Sequence, residues 1–235
     1  MRDLDERWYR SLPFAEGEWE RGNWRKSPIS VRVREWDRHL GGLGLSLTSF
    51  VGKDVLEVGC GPTGLVYFID ASRRVGVDPA AQSFESANGH WGAPIELINA
   101  PAESLPFEDA IFDAVICVNV LDHTRDPEAI INEIGRVSRT GATLVFHVDV
   151  DSPLRKLHKM VRTECRRLHP QALSYAWVLS RLGRWFEVEQ TGRDREVFRA
   201  TPSQLKYEAY WDGLMYRLTK SDRWRNHVWI RGRRR

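Results

Sequence analysis

The sequence has few cysteines and no long hydrophobic run. Its 235 residues include three cysteines, which stand far apart and form no C-x-x-C pair. That number and spacing exclude a disulfide framework and indicate no zinc site. No apolar run approaches the ~18 residues that a membrane span needs, and the charged first residues, MRDLDERW, do not resemble a signal peptide. We therefore expect a cytoplasmic protein without a membrane span.

Net charge is also small, +3 at pH 7, but it is unevenly distributed. Residues 1–150 carry 15 Lys and Arg against 23 Asp and Glu, whereas residues 151–235 carry 20 against 9. The last five residues, RGRRR, contribute four of these positive charges. The basic C-terminal part is consistent with an anionic ligand or nucleic acid, but a charge run alone favours a solvated surface and a frayed tail.

An alternation of strand and helix patterns begins at Asp54. Short apolar runs predict strands at 55–58, 74–78, 95–100, 112–118 and 142–150. Pro62 and Thr63 are expected to open a helix after the first strand. Apolar spacing over 126–139 predicts another helix, with Asp126 as its N-cap. This order predicts an α/β protein with a doubly wound parallel sheet, which binds ligands at the carboxyl ends of its strands.

The pattern is less regular on both sides of this region. Residues 1–50 hold four tryptophans among many charges and predict short helices and loops. They form either a lid over the site or a permanently docked helix. Residues 51–235 are expected to form the main domain. Its elements beyond residue 150 are expected to be helices around 152–169, 171–183 and 197–225 and strands at 186–191 and 227–233.

A glycine-rich segment follows the first strand. Residues 55–65 read VLEVGCGPTGL, in which three glycines have the G-x-G-x-x-G spacing of dinucleotide-binding loops. Two neighbours disfavour a pyrophosphate, because Pro62 removes a backbone N–H donor and Glu57 adds negative charge. Asp78, at the end of the second strand, can accept hydrogen bonds from two ribose hydroxyls. A nucleoside with a cationic tail, such as S-adenosylmethionine, fits these residues better.

Several segments between residues 54 and 150 resemble class I S-adenosylmethionine-dependent methyltransferases of the small-molecule type. They are VLEVGCGPTG, VGVDPA at 75–80, and the run from 102 to 146 with its LPFEDAIFD and EIGRV segments. The resemblance implies a Rossmann-like sheet of seven strands with helices on both faces. The last strand would be antiparallel, between the fifth and the sixth. It also implies methyl transfer from S-adenosylmethionine to a small molecule, more often at oxygen than at nitrogen, with S-adenosylhomocysteine as the product.

The resemblance places the cofactor-binding residues at the ends of strands. They are Glu57, Gly59, Cys60 and Gly61 at the methionine end, Asp78 on the ribose, Pro79, Ala102 and Glu103 around the adenine, and Val118 and Asn119 near the methionyl group. Pro101 stands where the family often has an acid, so Glu103 or a backbone carbonyl must bind the adenine amino group. No metal-ligand pattern is visible, and no metal is expected.

His123, just past the fourth strand, is the candidate general base. Methyl transfer is an in-line displacement, in which orientation alone supplies ~7–11 kcal/mol. A base is needed only if the acceptor is a hydroxyl or a protonated amine. The alternative for His123 is a packing role at the mouth of the site. We expect Asp122 to be a solvated loop acid, and Asp37 and His39 to lie on a surface helix.

Three other functions stay open. The basic C-terminal part is consistent with an RNA or protein methyltransferase, although NVLD follows the fourth strand where base-flipping enzymes have N/D-P-P-Y/F. A non-catalytic module would bind the cofactor without turnover. An NAD-dependent oxidoreductase would be stabilised by NAD. The acceptor and the oligomeric state do not follow from the sequence.

Overall fold

One mixed sheet organises the protein. The computed structural model describes residues 25, 28–92, 94–151, 171–194 and 225–235. The strands within these ranges are β1 (Asp54–Val58), β2 (Arg73–Val77), β3 (Glu96–Ile98), β4 (Phe112–Val118), β5 (Ser138–Asp151), β6 (Phe186–Asp194) and β7 (Arg225–Arg234). They form a seven-stranded sheet in the order β3–β2–β1–β4–β5–β7–β6. The first strand, β1, therefore lies in the middle of the sheet, and later strands are added on both sides of it.

The direction of the last strand confirms the prediction made from the sequence. Strands β1 to β5 pair in parallel. Strand β7 lies between β5 and β6 and runs antiparallel to both. Because β1 and β4 are neighbours that lead in opposite directions across the sheet, a crevice opens beyond their carboxyl ends.

Helices cover both faces of the sheet, as expected for a doubly wound fold. Within the described ranges they are α1 (Ile29–Gly41), α2 (Pro127–Val137) and α3 (Tyr175–Leu182). Helix α2 begins as predicted, since the Asp126 side chain accepts hydrogen bonds from the backbone of Glu128 and Ala129. The core on the α2 and α3 face includes Leu56, Val115, Leu144, Phe146, Ile130, Ile134, Val178 and Leu182. The core on the α1 face includes Val55, Ile116, Val145, Leu40, Leu43, Phe50 and Leu65.

The prediction of a helix that begins at Pro62 and Thr63 is wrong in the type of helix. Two short 3-10 turns, Gly61–Thr63 and Leu65–Tyr67, stand in its place. Gly64 between them is extended, with ψ 162°, so no α-helix continues through it. A Cβ at this position would lie 2.5 Å from a carboxylate oxygen of Glu57, which the turn encloses. The buried acid thus decides the local structure more strongly than the helical pattern of the segment.

The C-terminal arginines belong to β7, so the frayed tail considered above is wrong. Arg231 and Arg233 form ion pairs with Glu189 of β6, at 3.1 and 3.0 Å. The Arg234 guanidinium donates to the Gly135 carbonyl at 3.0 Å and lies 4.7 Å from the centre of the Trp185 ring. These contacts hold much of the terminal positive charge against the protein.

Some predicted elements lie outside the described residues. They include the helices expected around 152–169 and 197–225 and residues 1–24 of the aromatic N-terminal region. The helix expected over 171–183 is confirmed as α3, and the strands expected at 186–191 and 227–233 are confirmed as β6 and β7. In the part of the chain that the structure describes, no helix combines the length and hydropathy of a membrane span.

Candidate active site

The glycine loop turns sharply at the carboxyl end of β1. Gly59 and Gly61 have positive φ angles of 68° and 49°, which suit glycine. The backbone N–H groups of Gly59 and Cys60 both donate to the Val77 carbonyl at the end of β2, at 2.7 and 3.3 Å. The loop therefore lies across the ends of β1 and β2, where a ligand can approach its backbone closely.

Cys60 contributes packing to this loop. Its side chain is 3% exposed, and a Cβ on Gly76 of β2 would lie 2.7 Å from its sulfur. Burial raises the pKa of the Cys60 thiol well above its usual value. The thiol is therefore protonated at neutral pH and is a poor nucleophile, which agrees with a site role carried by the Cys60 backbone.

Glu57 lies beneath the loop and is 1% exposed. One carboxylate oxygen accepts the Leu65 N–H at 3.1 Å, and the other accepts the Val66 N–H at 2.6 Å. Burial raises the pKa of the Glu57 carboxyl to about 8, although these two hydrogen bonds oppose the shift. Its described contacts shape the turn after the glycine loop, and a direct role on the cofactor stays a prediction.

The raised pKa of Glu57 predicts a stability that falls with pH. The folded state keeps a proton that the unfolded state has lost between the ordinary pKa of 4.5 and about 8. Each pH unit in this window costs about 1.4 kcal/mol of unfolding free energy. From pH 6 to 7.5 we expect the wild type to lose about 2 kcal/mol relative to Glu57→Gln in urea denaturation of the cofactor-free protein. Parallel pH profiles for the two proteins would contradict this assignment.

Asp78 joins the glycine loop to the end of β2. Its Oδ2 accepts the Gly61 N–H at 3.0 Å, and its Oδ1 accepts the Ala80 N–H at 2.9 Å. Burial raises the pKa of the Asp78 carboxyl. A carboxylate has about four lone-pair sites, so two remain for hydroxyl groups of a ligand after these bonds are made. Pro79 follows it and is half-buried.

The other predicted residues lie at the same edge of the sheet, beyond β3 and β4. Ala102 is buried, and Glu103 accepts the backbone N–H groups of Arg125 and Asp126 at 3.1 and 3.3 Å. Glu103 thus holds the loop beyond β4 in place. Val118, the last residue of β4, is half-buried. These positions follow β3 or end β4, at the carboxyl edge of the sheet.

Asn119 forms a strained corner directly after β4. Its φ is +57°, one of two positive values at non-glycine positions in the described residues, and its N–H donates to the His147 carbonyl at 3.1 Å. Asparagine tolerates this left-handed conformation better than most residues. The corner sends the chain into a short turn, Leu121–His123, at the crevice edge.

The comparison with known proteins agrees with this geometry. A family model described as "Methyltransferase domain" matches residues 56–146, from β1 through β5. This match contains the glycine loop, Asp78 and the β4 corner. Residues 56–146 of this chain are thus similar to a methyltransferase domain.

Individual relatives of this chain have different acceptors in their names. The chain is 30% identical over 118 residues to a ubiquinone biosynthesis O-methyltransferase of Pseudoalteromonas translucida, covering 48% of this chain and 50% of the relative. It is 30% identical over 148 residues to a tRNA U34 carboxymethyltransferase of Marinobacter nauticus, covering 55% and 44%. The matched part thus spans about half the length of these relatives.

A solved structure shows the same fold. It is a geranyl diphosphate methyltransferase in complex with GPP and sinefungin, with a TM-score of 0.66 and 17% identity. The likeness covers 87% of this chain and 78% of that one.

Asp122 and His123 follow the strained corner at Asn119. The His123 side chain is 37% exposed, and its Nε2 lies 3.7 Å from Asp122 Oδ2. Asp122 is 2% exposed, so the prediction of a solvated loop acid is wrong. The 3-10 turn directs the Asp122 side chain inward, while His123 keeps access to solvent. Of the two, His123 is by far the more exposed residue.

Helix α1 brings aromatic side chains against Trp229 in the middle of β7. The His39 ring stacks on Trp229 at 4.5 Å, and the Trp36 ring meets Trp229 edge-on at 6.5 Å. The prediction that His39 lies on a surface helix is thus correct for the helix, but its ring is half-buried. Asp37 is exposed. Within the described residues, α1 is docked on the sheet.

Three polar residues near this edge of the sheet were not singled out in the sequence. His147 and Asp149 lie on β5, and His227 lies on β7. The segment FHVDV carries a usable signal, since residues two apart on a strand share a face. Burial lowers the pKa of His147 to about 4. The partner on β7 could not be assigned, because it lies about eighty residues further along the chain.

Proposed function

We propose that the chain is an S-adenosylmethionine-dependent methyltransferase that methylates an oxygen atom of a small molecule. The hydrogen bond from Gly61 to Asp78 carries the proposal, because it joins the glycine loop to an acid at the end of the adjacent strand. That arrangement suits a nucleoside whose ribose lies on Asp78 and whose tail lies along the loop. The similarity to ubiquinone biosynthesis O-methyltransferases supports a small acceptor and transfer to oxygen.

The residues at the site fit this cofactor. Asp78 has lone pairs left for two ribose hydroxyls, and the glycine loop leaves its backbone open to close approach. The cofactor supplies a methyl group on a sulfonium. The residues after β1, β2 and β4 would hold the cofactor with its methyl group facing the acceptor oxygen, in line with the C–S bond. His123 would take the proton of the acceptor hydroxyl. Exclusion of water and correct orientation supply much of the rate.

Methyl transfer can be tested directly with the purified chain. We expect radiolabel from methyl-labelled S-adenosylmethionine to pass to members of a panel of phenols and other small hydroxyl compounds. S-adenosylhomocysteine should raise the melting temperature, and NAD should not. Stabilisation by NAD alone would favour an oxidoreductase. Cofactor binding without transfer to any acceptor class would favour a non-catalytic module.

RNA is the second candidate acceptor, because tRNA U34 carboxymethyltransferases are among the relatives. The excess of positive charge after residue 150 also supports it. The ion pairs of Arg231 and Arg233 with Glu189 count against it, since they neutralise part of that charge. Transfer to tRNA with a steep loss of affinity at higher salt would support RNA. Transfer to phenols without salt dependence would support the small acceptor.

His123 is expected to act on the acceptor rather than on the cofactor. Replacing it with alanine should lower kcat about 10²- to 10⁴-fold, the range typical of general acid–base catalysis. Affinity for S-adenosylmethionine should stay within about threefold by calorimetry. His90→Ala, at an exposed histidine after β2, is the control and should retain turnover. Unchanged turnover in His123→Ala would leave this histidine with a packing role.

A further inference from the structure

His147, Asp149 and His227 project from one face of the β5–β7 pair. His147 and Asp149 are two apart on β5, so their side chains share a face. Asp149 pairs directly with His227 in the antiparallel register, and His147 pairs with Trp229. His227 is therefore opposite Asp149 and diagonal to His147. The register itself brings two imidazoles and one carboxylate together.

The three side chains approach one another closely. One possible ligand atom from each lies within 4.8 Å of those from the other two. Asp149 Oδ1 is 2.5 Å from His227 Nδ1, and the rings of His147 and His227 are nearly parallel with their centres 5.7 Å apart. Donor atoms at such separations need small side-chain rotations to surround a single ion, since Zn–N and Zn–O bonds are about 2.0–2.2 Å long.

Burial provides an independent indication of a ligand. His147 is 7% exposed, and its Nδ1 has no hydrogen-bond partner among the described residues. A buried polar atom that is left without a partner destabilises the folded protein. The Asp149 side chain is 10% exposed and that of His227 is 19% exposed, so the cluster still communicates with solvent on the His227 side.

We propose that His147, Asp149 and His227 bind one divalent transition-metal ion, each through a single atom. Two imidazoles and a carboxylate are typical ligands of zinc and of non-haem iron, and they leave coordination positions open for water or other oxygen donors. Mg²⁺ prefers sites made of oxygen ligands alone, so the donor set disfavours it. The inference stands on the β5–β7 register and does not depend on methyl transfer.

Metal binding can be measured on the tag-free full chain after dialysis against a chelator. Titration with Zn²⁺ in competition with a chromogenic chelator should give one site per chain with a micromolar or tighter Kd. Co²⁺ should give visible d–d bands, and excess Mg²⁺ should leave them unchanged. A wild-type chain that binds no Zn²⁺ below 100 µM would overturn the proposal without any variant.

Substitutions locate the ion. His147→Ala and Asp149→Asn should each weaken Zn²⁺ binding at least about 100-fold and abolish the Co²⁺ bands. Their folding is checked by circular dichroism. His90→Ala, an exposed histidine elsewhere, should keep the wild-type Kd. Equal Zn²⁺ affinity in the folded Asp149→Asn variant would assign the ion to another site and leave Asp149 and His227 as a metal-free ion pair.

Discussion

Replacing Asp78 with alanine is expected to weaken binding of S-adenosylmethionine at least about 100-fold. Hydrogen bonds to a charged group contribute about 1.5–3 kcal/mol each, and two of them on the ribose account for this loss. The carboxylate also accepts the backbone N–H groups of Gly61 and Ala80, so the variant should be less stable as well. Calorimetry well below the melting temperature separates the two effects.

Asp113 provides a matched control for this experiment. It lies near the start of β4, where its Oδ2 accepts the Asp54 N–H at 2.9 Å. Asp113→Ala therefore removes an acid that also holds a backbone N–H group in the same sheet, but at the opposite edge. We expect its cofactor affinity to match the wild type. An Asp78→Ala protein that binds within threefold of the wild type would refute the ribose assignment.

The positions of the strands follow from the sequence because the central strands are short apolar runs bounded by glycines and acids. Val55–Val58 and Phe112–Val118 are recognisable for this reason, and both match the structure closely. The order of the strands in the sheet cannot be predicted in this way, because strand pairing joins residues that are far apart in the chain. The placement of β7 between β5 and β6 came from the resemblance to methyltransferases, because periodicity carries no information on neighbours.

A residue of the candidate site could be predicted where its own place in the chain, directly after a strand, puts it at the sheet edge. Gly59 and Asp78 follow strands and could be placed at the sheet edge on that ground alone. The burial of Asp122 could not be foreseen, because a 3-10 turn and the strained corner at Asn119 decide which way it points. The cluster of His147, Asp149 and His227 depends on the β5–β7 register, which cannot be predicted from the sequence pattern.

Glu57 shows what the sequence leaves open at a single residue, and its predicted role on the cofactor stays a prediction. From sequence, an acid two residues before a glycine loop can face the ligand or the protein. The structure gives both of its oxygens to Leu65 and Val66, and the enclosed carboxylate excludes any side chain at Gly64. Glu57 thereby fixes the path of the chain after Gly61, and the loop geometry near Asp78 depends on it.

Gly59→Ala is expected to destabilise the protein strongly. A Cβ at Gly59 would lie 2.3 Å from a methyl group of Val120, which no relaxed structure tolerates. Overpacking of this kind costs about 1–3 kcal/mol. The positive φ of 68° adds about 1–2 kcal/mol for a residue with a side chain. We therefore expect a loss of about 2–5 kcal/mol of unfolding free energy in urea denaturation.

Gly52 and Val120 separate the two causes. Gly52 also has a positive φ, 77°, but no atom lies within 4 Å of a Cβ placed there. Gly52→Ala should therefore cost only the conformational part, about 1–2 kcal/mol. Adding Val120→Ala to Gly59→Ala should recover part of the loss, because it removes the methyl groups that clash, whereas Val120→Ala alone should destabilise by leaving a cavity. Equal losses of unfolding free energy in Gly59→Ala and Gly52→Ala would show that the Val120 side chain does not contact the loop. The close approach between the ends of β1 and β4 would then be refuted.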